Sequence, residues 1–483
     1  MRTTRPLWIP TLFAALACAT APAPSPAADG PLRAGAATLD VTPFLDDPII
    51  GNFDTPPASY VHDPLHARAL VLDDGSTRLA FVVVDSVGIS RGVFDAARKL
   101  AAEKSGIPAG NILAAATHTH SATNGRSKDP FGVDDPPTEY QRLLSHRIAD
   151  AVRLAAGNLA PAEVGWGSVD APEHLFNRRW LLKPGETVPS PFGGEEHALM
   201  NPGRNPKIDR PAGPTDPQVS FLAVRTPEGR PIALLANYSL HYIGGVPAGH
   251  VSADYFAVFA RKVGERLGVD PLHDPPFVGI MTNGTSGDVN NIDVMGPPPA
   301  KPFAPYEKMT IVADDLAGRV ATAYAGVAFR PKLKLAAASR ELLLKCRRPT
   351  PEQVDYARKV LAKPEGAPRH HGLERIFAER TLTLADAPEQ VSIMLQAFRI
   401  GDLGIAAIPF EVFTEIGLDL KARSPFRPTF TIELANGSYG YLPSPRHFEL
   451  GGYETWMGVN RVEPGASDRI VATVLDLLAG LKE

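Results

Sequence analysis

Residues 112–121 read Ile-Leu-Ala-Ala-Ala-Thr-His-Thr-His-Ser, an apolar run that leads directly into two histidines. The five apolar residues predict a short buried strand. If the extended backbone continues past them, His118 and His120 project to the same side, because side chains two apart on a strand share a face. Two imidazoles at a strand end suit a metal ion, but they indicate a site only if other strand ends deliver matching groups.

Other predicted strands also end in polar side chains. Asp85 follows the apolar strand at residues 79–84, and residues 91–104 have the pattern of an amphipathic helix that leads to the strand at 112–116. In open α/β sheets, ligand sites form at the carboxyl ends of strands. The later strands at residues 232–238, 277–281, 404–409 and 429–434 are followed by His241, by Asn283 and Asp288, by Glu411, and by Tyr441. Six such strand ends predict a single polar site.

The alternation of strands and helices predicts an α/β fold with mixed sheets flanked by helices and a metal site at the carboxyl ends of strands. Residues 67–72 and 79–84 are expected to pair as a hairpin. Pro409 is placed to open a helix that reaches about Ala422. Residues 181–216 are rich in proline and glycine, which predicts a long surface excursion over the site.

The N-terminus predicts export. Arg2 and Arg5 precede the apolar residues 7–17, and small residues follow, which is the pattern of a signal peptide over residues 1–28. This predicts a periplasmic or secreted protein. An alternative is lipidation at Cys18, which would anchor the protein to a membrane, although the residues before Cys18 match a lipidation signal imperfectly.

The composition and the net charge limit the kinds of partner that the protein is expected to bind. Of 483 residues, 44% are hydrophobic and 21% are charged, so the chain can bury a large soluble core. Without residues 1–28, which hold two arginines and no acid, 47 basic residues face 53 acidic ones, a net charge of −6. An acidic chain argues against nucleic acid as the partner. Cys346 is the one cysteine outside residues 1–28, so no intrachain disulfide is expected.

Several of these segments resemble motifs of the neutral/alkaline non-lysosomal ceramidases, zinc amidohydrolases that cleave the N-acyl bond of ceramide. The family's T-H-T-H-S-G-P-G-G resembles residues 117–125, its N-R-S resembles residues 177–179, and its P-G-E-F-T-T-x-x-G resembles residues 409–417. The histidine after a strand matches His241, and the spaced tyrosines match Tyr441 and Tyr453-Glu454. The resemblance implies one catalytic domain over residues 29–483, without the family's C-terminal immunoglobulin-like domain.

The resemblance also implies roles for individual residues. The ligands of one zinc ion per chain would be His118, His241, Glu411 and Tyr441. Two imidazoles and a carboxylate commonly hold a catalytic zinc with a position open to water, which attacks the amide carbonyl. His120 would be the general acid for the leaving amine. Arg178 and Tyr453 would orient substrate or stabilise the oxyanion.

Structural roles remain as alternatives for some of these residues. Glu411 would also be favoured in the first turn of a helix by the helix dipole, and Tyr441 and Tyr453 would also suit packing. A mixed set of His, Glu and Tyr ligands accepts manganese or iron as well as zinc.

One departure from the family concerns the substrate. The family turn G-D-V-S-P-N carries a serine regarded as catalytic, and here residues 287–292 read Gly-Asp-Val-Asn-Asn-Ile. Asn290 takes the serine position and cannot act as a nucleophile. The sequence therefore predicts a zinc hydrolase of a ceramide-like or related N-acyl substrate, a lipid or small molecule, with peripheral membrane contact as one option. Two alternatives stay open: a zinc hydrolase of another bond, and a metal-stabilised protein that binds lipid without turnover.

Overall fold

The computed structural model describes residues 30–128, 131, 136–364 and 366–483, so the predicted signal peptide and Cys18 lie outside the described residues. The helices are α1 (Arg91–Ser105), α2 (Glu139–Gly157), α3 (Asp254–Arg266), α4 (Glu307–Tyr324), α5 (Pro351–Ala362), α6 (Glu374–Ala385), α7 (Thr414–Arg423), α8 (Arg446–Leu450) and α9 (Ala466–Lys482). No helix of this described part is long and apolar enough to cross a membrane.

The strands are, in chain order, β1 (Arg33–Asp40), β2 (Ile49–Ile50), β3 (Tyr60–Val61), β4 (His66–Asp73), β5 (Arg78–Val84), β6 (Ile112–Ala116), β7 (Ala122–Thr123), β8 (Ala160–Pro161), β9 (Glu163–Asp170), β10 (Phe176–Asn177), β11 (Arg179–Leu182), β12 (Val188–Pro189), β13 (Glu195–Glu196), β14 (Ala198–Met200), β15 (Ile208–Pro211), β16 (Gln218–Arg225), β17 (Pro231–Tyr238), β18 (His250–Val251), β19 (Val278–Asn283), β20 (Val289–Asn290), β21 (Leu335–Lys345), β22 (Gln390–Ile400), β23 (Leu403–Ile408), β24 (Glu411–Val412), β25 (Thr429–Glu433) and β26 (Tyr441–Leu442).

Three larger sheets organise these strands. Their orders are β6-β5-β4-β1-β8, β19-β17-β16-β9 and β21-β22-β23-β25. Each sheet combines antiparallel neighbours with one parallel pair, namely β5 with β6, β17 with β19, and β23 with β25. The predicted mixed α/β sheets are therefore confirmed, and so is the hairpin of β4 and β5, in which Ala67 lies opposite Val84.

The three sheets share one apolar core. Side chains from all three meet there, including Phe81, Leu235, Phe398 and Phe430. The rings of Phe81 and Phe398, from the first and third sheets, are 5.1 Å apart. Successive side chains of a strand point to opposite faces, so each sheet has a second face. That face packs on α1 and α2 in the first sheet, on α3 and α4 in the second, and on α9 in the third.

Contacts between sheets bring their carboxyl ends together. At the end of β6, the Ala116 amide donates to the Leu434 carbonyl over 3.2 Å, just after β25. At the end of β17, Asn237 Nδ2 donates to the Thr431 carbonyl over 3.0 Å. The segments that follow β6, β17, β23 and β25 consequently meet at one place.

The helix predicted from Pro409 begins later than expected. Helix α7 starts at Thr414, and Glu411 and Val412 instead form β24, which pairs in parallel with β26. The Glu411 amide donates to the Gly440 carbonyl over 2.9 Å. This bond to a distant segment outweighs the local helix-start signal of Pro409, which describes only neighbouring residues.

The proline-rich residues 181–216 are not purely an excursion. They contribute β14 and β15 to a three-stranded sheet with β11, in which Trp180 lies opposite Leu199. Trp180 is buried there with Ile208 in a small separate apolar cluster.

Candidate metal centre

Three buried side chains from three different sheets meet just past the ends of β6, β17 and β23. The Nε2 atoms of His118 and His241 are 3.0 Å apart. Glu411 Oε2 lies 3.4 Å from His118 Nε2 and 3.8 Å from His241 Nε2. Zinc bonds of roughly 2.0–2.2 Å in a tetrahedral site put neighbouring ligand atoms about 3.3 Å apart. The triangle of these three atoms therefore has the size that a zinc ion requires.

Backbone carbonyls fix the protonation of both imidazoles. His118 Nδ1 donates to the Val87 carbonyl over 2.7 Å, and His241 Nδ1 donates to the Ser286 carbonyl over 3.1 Å. A neutral imidazole carries one N–H, so the facing Nε2 atoms hold lone pairs. Glu411 Oε2 is buried and has no hydrogen-bond donor among the described residues. Because three electron-rich atoms converge in a buried place, the residues fit a bound cation.

The pKa values of two of these groups also suit a metal. Burial lowers the pKa of His241 well below its ordinary value, and the positive charge of Arg178 lowers it further. Burial raises the pKa of Glu411, but the polar groups around the carboxylate, including a hydrogen bond from Tyr441 and the positive charge of Arg178, outweigh burial and hold this pKa below its ordinary value. A neutral imidazole and an ionised carboxylate are the forms that bind metals.

A turn at His118, rather than continued strand geometry, brings the two histidines of the T-H-T-H segment together. Strand β6 ends at Ala116, and His118 has a left-handed backbone with φ of 76°. The expected extended backbone through His120 is therefore not observed. The Nε2 atoms of His118 and His120 are nevertheless 3.1 Å apart. With His241 they form a three-histidine group able to hold a metal ion.

The pairing of β24 with β26 places Glu411 directly opposite Tyr441. Burial raises the pKa of Tyr441 well above its ordinary value, although Arg178 opposes this, so the phenol is protonated and able to donate a hydrogen bond. The alternative role of Glu411 at a helix start is not observed, because its carboxylate faces the histidines and Phe413 occupies the N-cap of α7.

A buried ion-pair network near Tyr441 joins two segments that are far apart in the sequence, residues 178–179 and residue 454. Glu454 accepts from Arg178 Nε over 2.9 Å and from Arg179 Nη1 over 2.6 Å. The Arg178 guanidinium lies 5.2 Å from the centre of the Tyr441 ring. Tyr453, next to Glu454 in the chain, has its ring centre 6.0 Å from that of Tyr441. Glu454 thus positions both a cation and two tyrosines at the site.

Asn290 lies away from this group. It is in β20, where its Nδ2 donates to Asn201 Oδ1 over 2.6 Å and its Oδ1 accepts from the Ile292 amide over 2.9 Å. These bonds hold the turn that contains it. Asn290 does not belong to the described residues that line the cavity next to the histidines.

Two residues from the six predicted polar strand ends, Asp85 and Asp288, make contacts that hold the fold together and do not belong to the candidate metal centre. Asp85 is buried and forms an ion pair with Arg68 over 2.6 Å. Asp288 accepts from Asn177 Nδ2 over 2.7 Å and from the Thr414 amide over 2.8 Å, which ties its turn to the start of α7.

Sequence reasoning missed two residues behind the histidines. Glu433, the last residue of β25, is fully buried and accepts from Ser286 Oγ and from the Val412 amide, each over 2.7 Å. Burial raises the pKa of Glu433 well above its ordinary value. Ser286 in turn supplies the carbonyl that binds His241. The signal for this arrangement was an acidic residue at the end of an apolar strand, at residues 429–433.

A cavity of about 600 Å³ reaches the candidate metal centre. Its wall includes His118, His120, Glu411, Tyr441 and Tyr453. The rest of the wall combines apolar with cationic side chains, among them Ile50, Phe53, Val87, Leu384, Val459, Arg126, Lys128 and Arg380. A cavity of this size and mixed lining suits a small organic ligand or one end of a larger one.

Fold and site together define an α/β protein with a candidate histidine metal centre at the carboxyl ends of its strands. No family model matches the chain. Its fold is similar to that of the neutral ceramidase from Pseudomonas aeruginosa, a crystal structure with a TM-score of 0.67 and 19% identity over 94% of this chain and 75% of that chain. A ceramidase complexed with C2 has a TM-score of 0.65 and 18% identity over 94% of this chain and 76% of that chain. The ceramidase fold predicted from the motifs is therefore confirmed.

Proposed function

We propose that the protein is a zinc-dependent hydrolase that cleaves an N-acyl amide bond in a lipid or a related small molecule. The observation that carries this proposal is the triangle of His118, His241 and Glu411, of which His118 and Glu411 line a cavity. The ceramidase fold of its neighbours supports an amide as the substrate bond. The signal-peptide pattern at residues 1–28 supports export as part of the same proposal.

We assign zinc to His118, His241 and Glu411, with Tyr441 beside Glu411 as the candidate fourth ligand. Zinc bound there would supply a Lewis acid that activates water and polarises the acyl carbonyl. His120 Nε2 lies 3.1 Å from His118 Nε2, on the cavity wall. In the proposed reaction it accepts a proton from the attacking water and returns it to the leaving amine as the C–N bond breaks.

Tyr453 takes the role of a hydrogen-bond donor in this proposal. Tyr453 lines the cavity, and burial raises the pKa of its phenol, so it stays protonated. Its hydroxyl would donate to the substrate carbonyl oxygen as negative charge develops there. Arg178, fixed by Glu454, lies against the Tyr441 ring and is not among the described residues that line the cavity.

The experiment that tests the proposal combines metal content with turnover. Wild type and a His118→Ala/His241→Ala variant are analysed by mass spectrometry after exposure to zinc and dialysis, and both are assayed on an N-acyl panel that includes ceramide. About one zinc per wild-type chain, absent from a folded double variant, is the expected result. The exposed His146→Ala serves as the control, since His146 lies on the outer face of α2. A folded wild type that binds no zinc would overturn the proposal.

A second candidate is a zinc hydrolase of another bond, and the position of Asn290 favours it. The side chain that replaces the family serine is bonded to Asn201 and not directed at the cavity. Specificity that depends on that serine is therefore lost, while the histidines and Glu411 remain. An ester and an amide with the same acyl group, and with the same alkyl group on the leaving oxygen or nitrogen, separate the two candidates, because only the first candidate requires cleavage of the amide.

A further inference from the structure

Two arginines on the cavity wall are not used by the proposed reaction. Arg126 comes directly after the segment that resembles the T-H-T-H motif, and Arg380 is on α6. Neither forms an ion pair with a carboxylate of the described residues. Arg91 on the same wall differs, because it pairs with Asp95 over 3.0 Å and with Glu341 over 2.6 Å.

Arg126 is held at the metal end of the cavity. Its amide donates to Asn124 Oδ1 over 2.8 Å, and its carbonyl accepts from Gln141 Nε2 over 2.9 Å, at the start of α2. The negative charge that acts most on its guanidinium is that of Glu411, at the candidate centre. This side chain therefore has a fixed backbone and a cationic end near the reacting bond.

Arg380 faces the same space. Its guanidinium lies 4.9 Å from the centre of the Phe377 ring. Its stem lies against Gly458, where a side chain would be only 3.4 Å from Arg380 Cβ. Glu379, the neighbouring carboxylate on the wall, faces Arg375 at 4.0 Å instead. Arg126 and Arg380 repel each other, and an anion between them would relieve that repulsion.

We propose that Arg126 and Arg380 bind an anionic group of the substrate, so that the preferred N-acyl substrates carry an oxyanion such as a carboxylate or a sulfonate. A guanidinium binds oxyanions through paired, charge-assisted hydrogen bonds. Apolar wall residues such as Ile50 and Val87 are available to the acyl chain. This inference rests on the proposed function and adds to it the class of substrate.

The test measures binding separately from turnover. Hexanesulfonylglycine and hexanesulfonylglycinamide are N-substituted sulfonamides that differ in one charge and contain no N-acyl amide bond of the type to be cleaved. Their affinities for the zinc-loaded protein are measured by calorimetry. We expect the anionic ligand to bind at least about tenfold more tightly, and Arg126→Gln and Arg380→Gln each to reduce that preference about tenfold, as for loss of one charged hydrogen-bonded pair.

Controls separate charge recognition from folding and from binding at zinc. Arg375→Gln, on α6 but outside the cavity wall, should keep the full preference. Arg126→Lys keeps the charge and should retain part of it. Equal affinity of the two ligands for wild type would overturn the inference. A preference unchanged in both glutamine variants would also overturn it, since zinc itself would then be the anion site.

Hydrolysis of N-hexanoylglycine, N-hexanoyltaurine and N-hexanoylglycinamide reports on the proposed function independently. Cleavage of all three at equal kcat/KM keeps that function and overturns the inference. If the two anionic amides are cleaved faster than the neutral one, and if this advantage is smaller in the two glutamine variants, the result supports the proposed function and the inference together. Anion-selective binding that depends on the two arginines, with no cleavage of any amide, leaves the anion site standing and overturns the hydrolase proposal.

Discussion

At His118 the backbone, the ring and the candidate metal all constrain the same residue. Its φ of 76° turns the chain after β6, and the Val87 carbonyl fixes its Nδ1 proton. A left-handed conformation is uncommon for a residue with a side chain. The surrounding contacts sustain it here, since the His118 amide also donates to the Ser86 carbonyl over 2.8 Å.

His120→Gln tests the proposed proton transfer. Because the triangle of His118, His241 and Glu411 does not include His120, we expect the variant to keep about one zinc per chain. We expect kcat to fall by about 10²–10⁴, the usual contribution of a general acid–base group. Metal analysis and kinetics on one preparation measure both. Loss of zinc from the folded variant would make His120 a ligand, as the three-histidine group permits.

At the scale of elements, two short features position the residues of the site. They are the pairing of β24 with β26 and the ion pairs of Glu454 with Arg178 and Arg179. The first sets Glu411 opposite Tyr441, and the second holds Arg178 behind that tyrosine. Both join segments that lie far apart along the chain.

Glu454→Ala should destabilise the protein strongly. The carboxylate is fully buried between Arg178 and Arg179, and its removal leaves two buried cations without their partner. Breaking a buried pair in this way costs about 3–5 kcal/mol. Urea unfolding measures the change. The exposed Glu449→Ala is the matched control and should shift stability by less than about 0.5 kcal/mol, and equal shifts in both variants would contradict the prediction.

Glu415 should make the contact between α7 and α8 sensitive to acid. Burial raises the pKa of Glu415, but hydrogen bonds from His447, Arg446 and Ser444 outweigh it and bring the pKa to about 2. A carboxyl with a lower pKa in the folded state stabilises fully above its unfolded value of about 4.3, and loses this effect as the pH falls toward 2.

Comparison of wild type with Glu415→Gln checks the direction of this pH dependence of stability. Wild type should be the more stable protein at pH 7, and the difference in unfolding free energy should shrink steadily below about pH 4.3. Chemical unfolding at several pH values measures it. A difference that is the same at pH 3 and pH 7 would show that the carboxylate charge contributes nothing.

The strands that lead to the site were predictable, because each is an apolar run ended by a polar residue. The α/β fold and the strand ends at His118, His241 and Glu411 follow from such local patterns. Strand β24 was not predictable, since two residues show no periodicity and the partner Tyr441 lies beyond α7. Nor was the Arg178–Glu454 pair, which spans 276 residues. The turn at His118 was not predictable either, because a positive φ is uncommon even for histidine and nothing else in residues 117–121 indicates a turn.

At the scale of the whole molecule, the candidate ligands come from all three sheets. His118 follows β6 of the first sheet, His241 follows β17 of the second, and Glu411 follows β23 of the third. The sheets already share an apolar core. A bound zinc ion would add a link between their carboxyl ends, where three electron-rich atoms otherwise lie close together.

Zinc should therefore stabilise the whole fold and not one loop. A ligand at 1,000 times its Kd that binds the folded state alone adds about 4 kcal/mol. We expect chelator-treated wild type to regain a higher Tm when zinc is added, as a single cooperative transition that has the same midpoint in the near-ultraviolet and far-ultraviolet signals. The His118→Ala/His241→Ala variant should show no shift at the same zinc concentration. An equal shift in that variant would place the stabilising zinc elsewhere, and a shift confined to one part of a split transition would show that the centre does not couple the sheets.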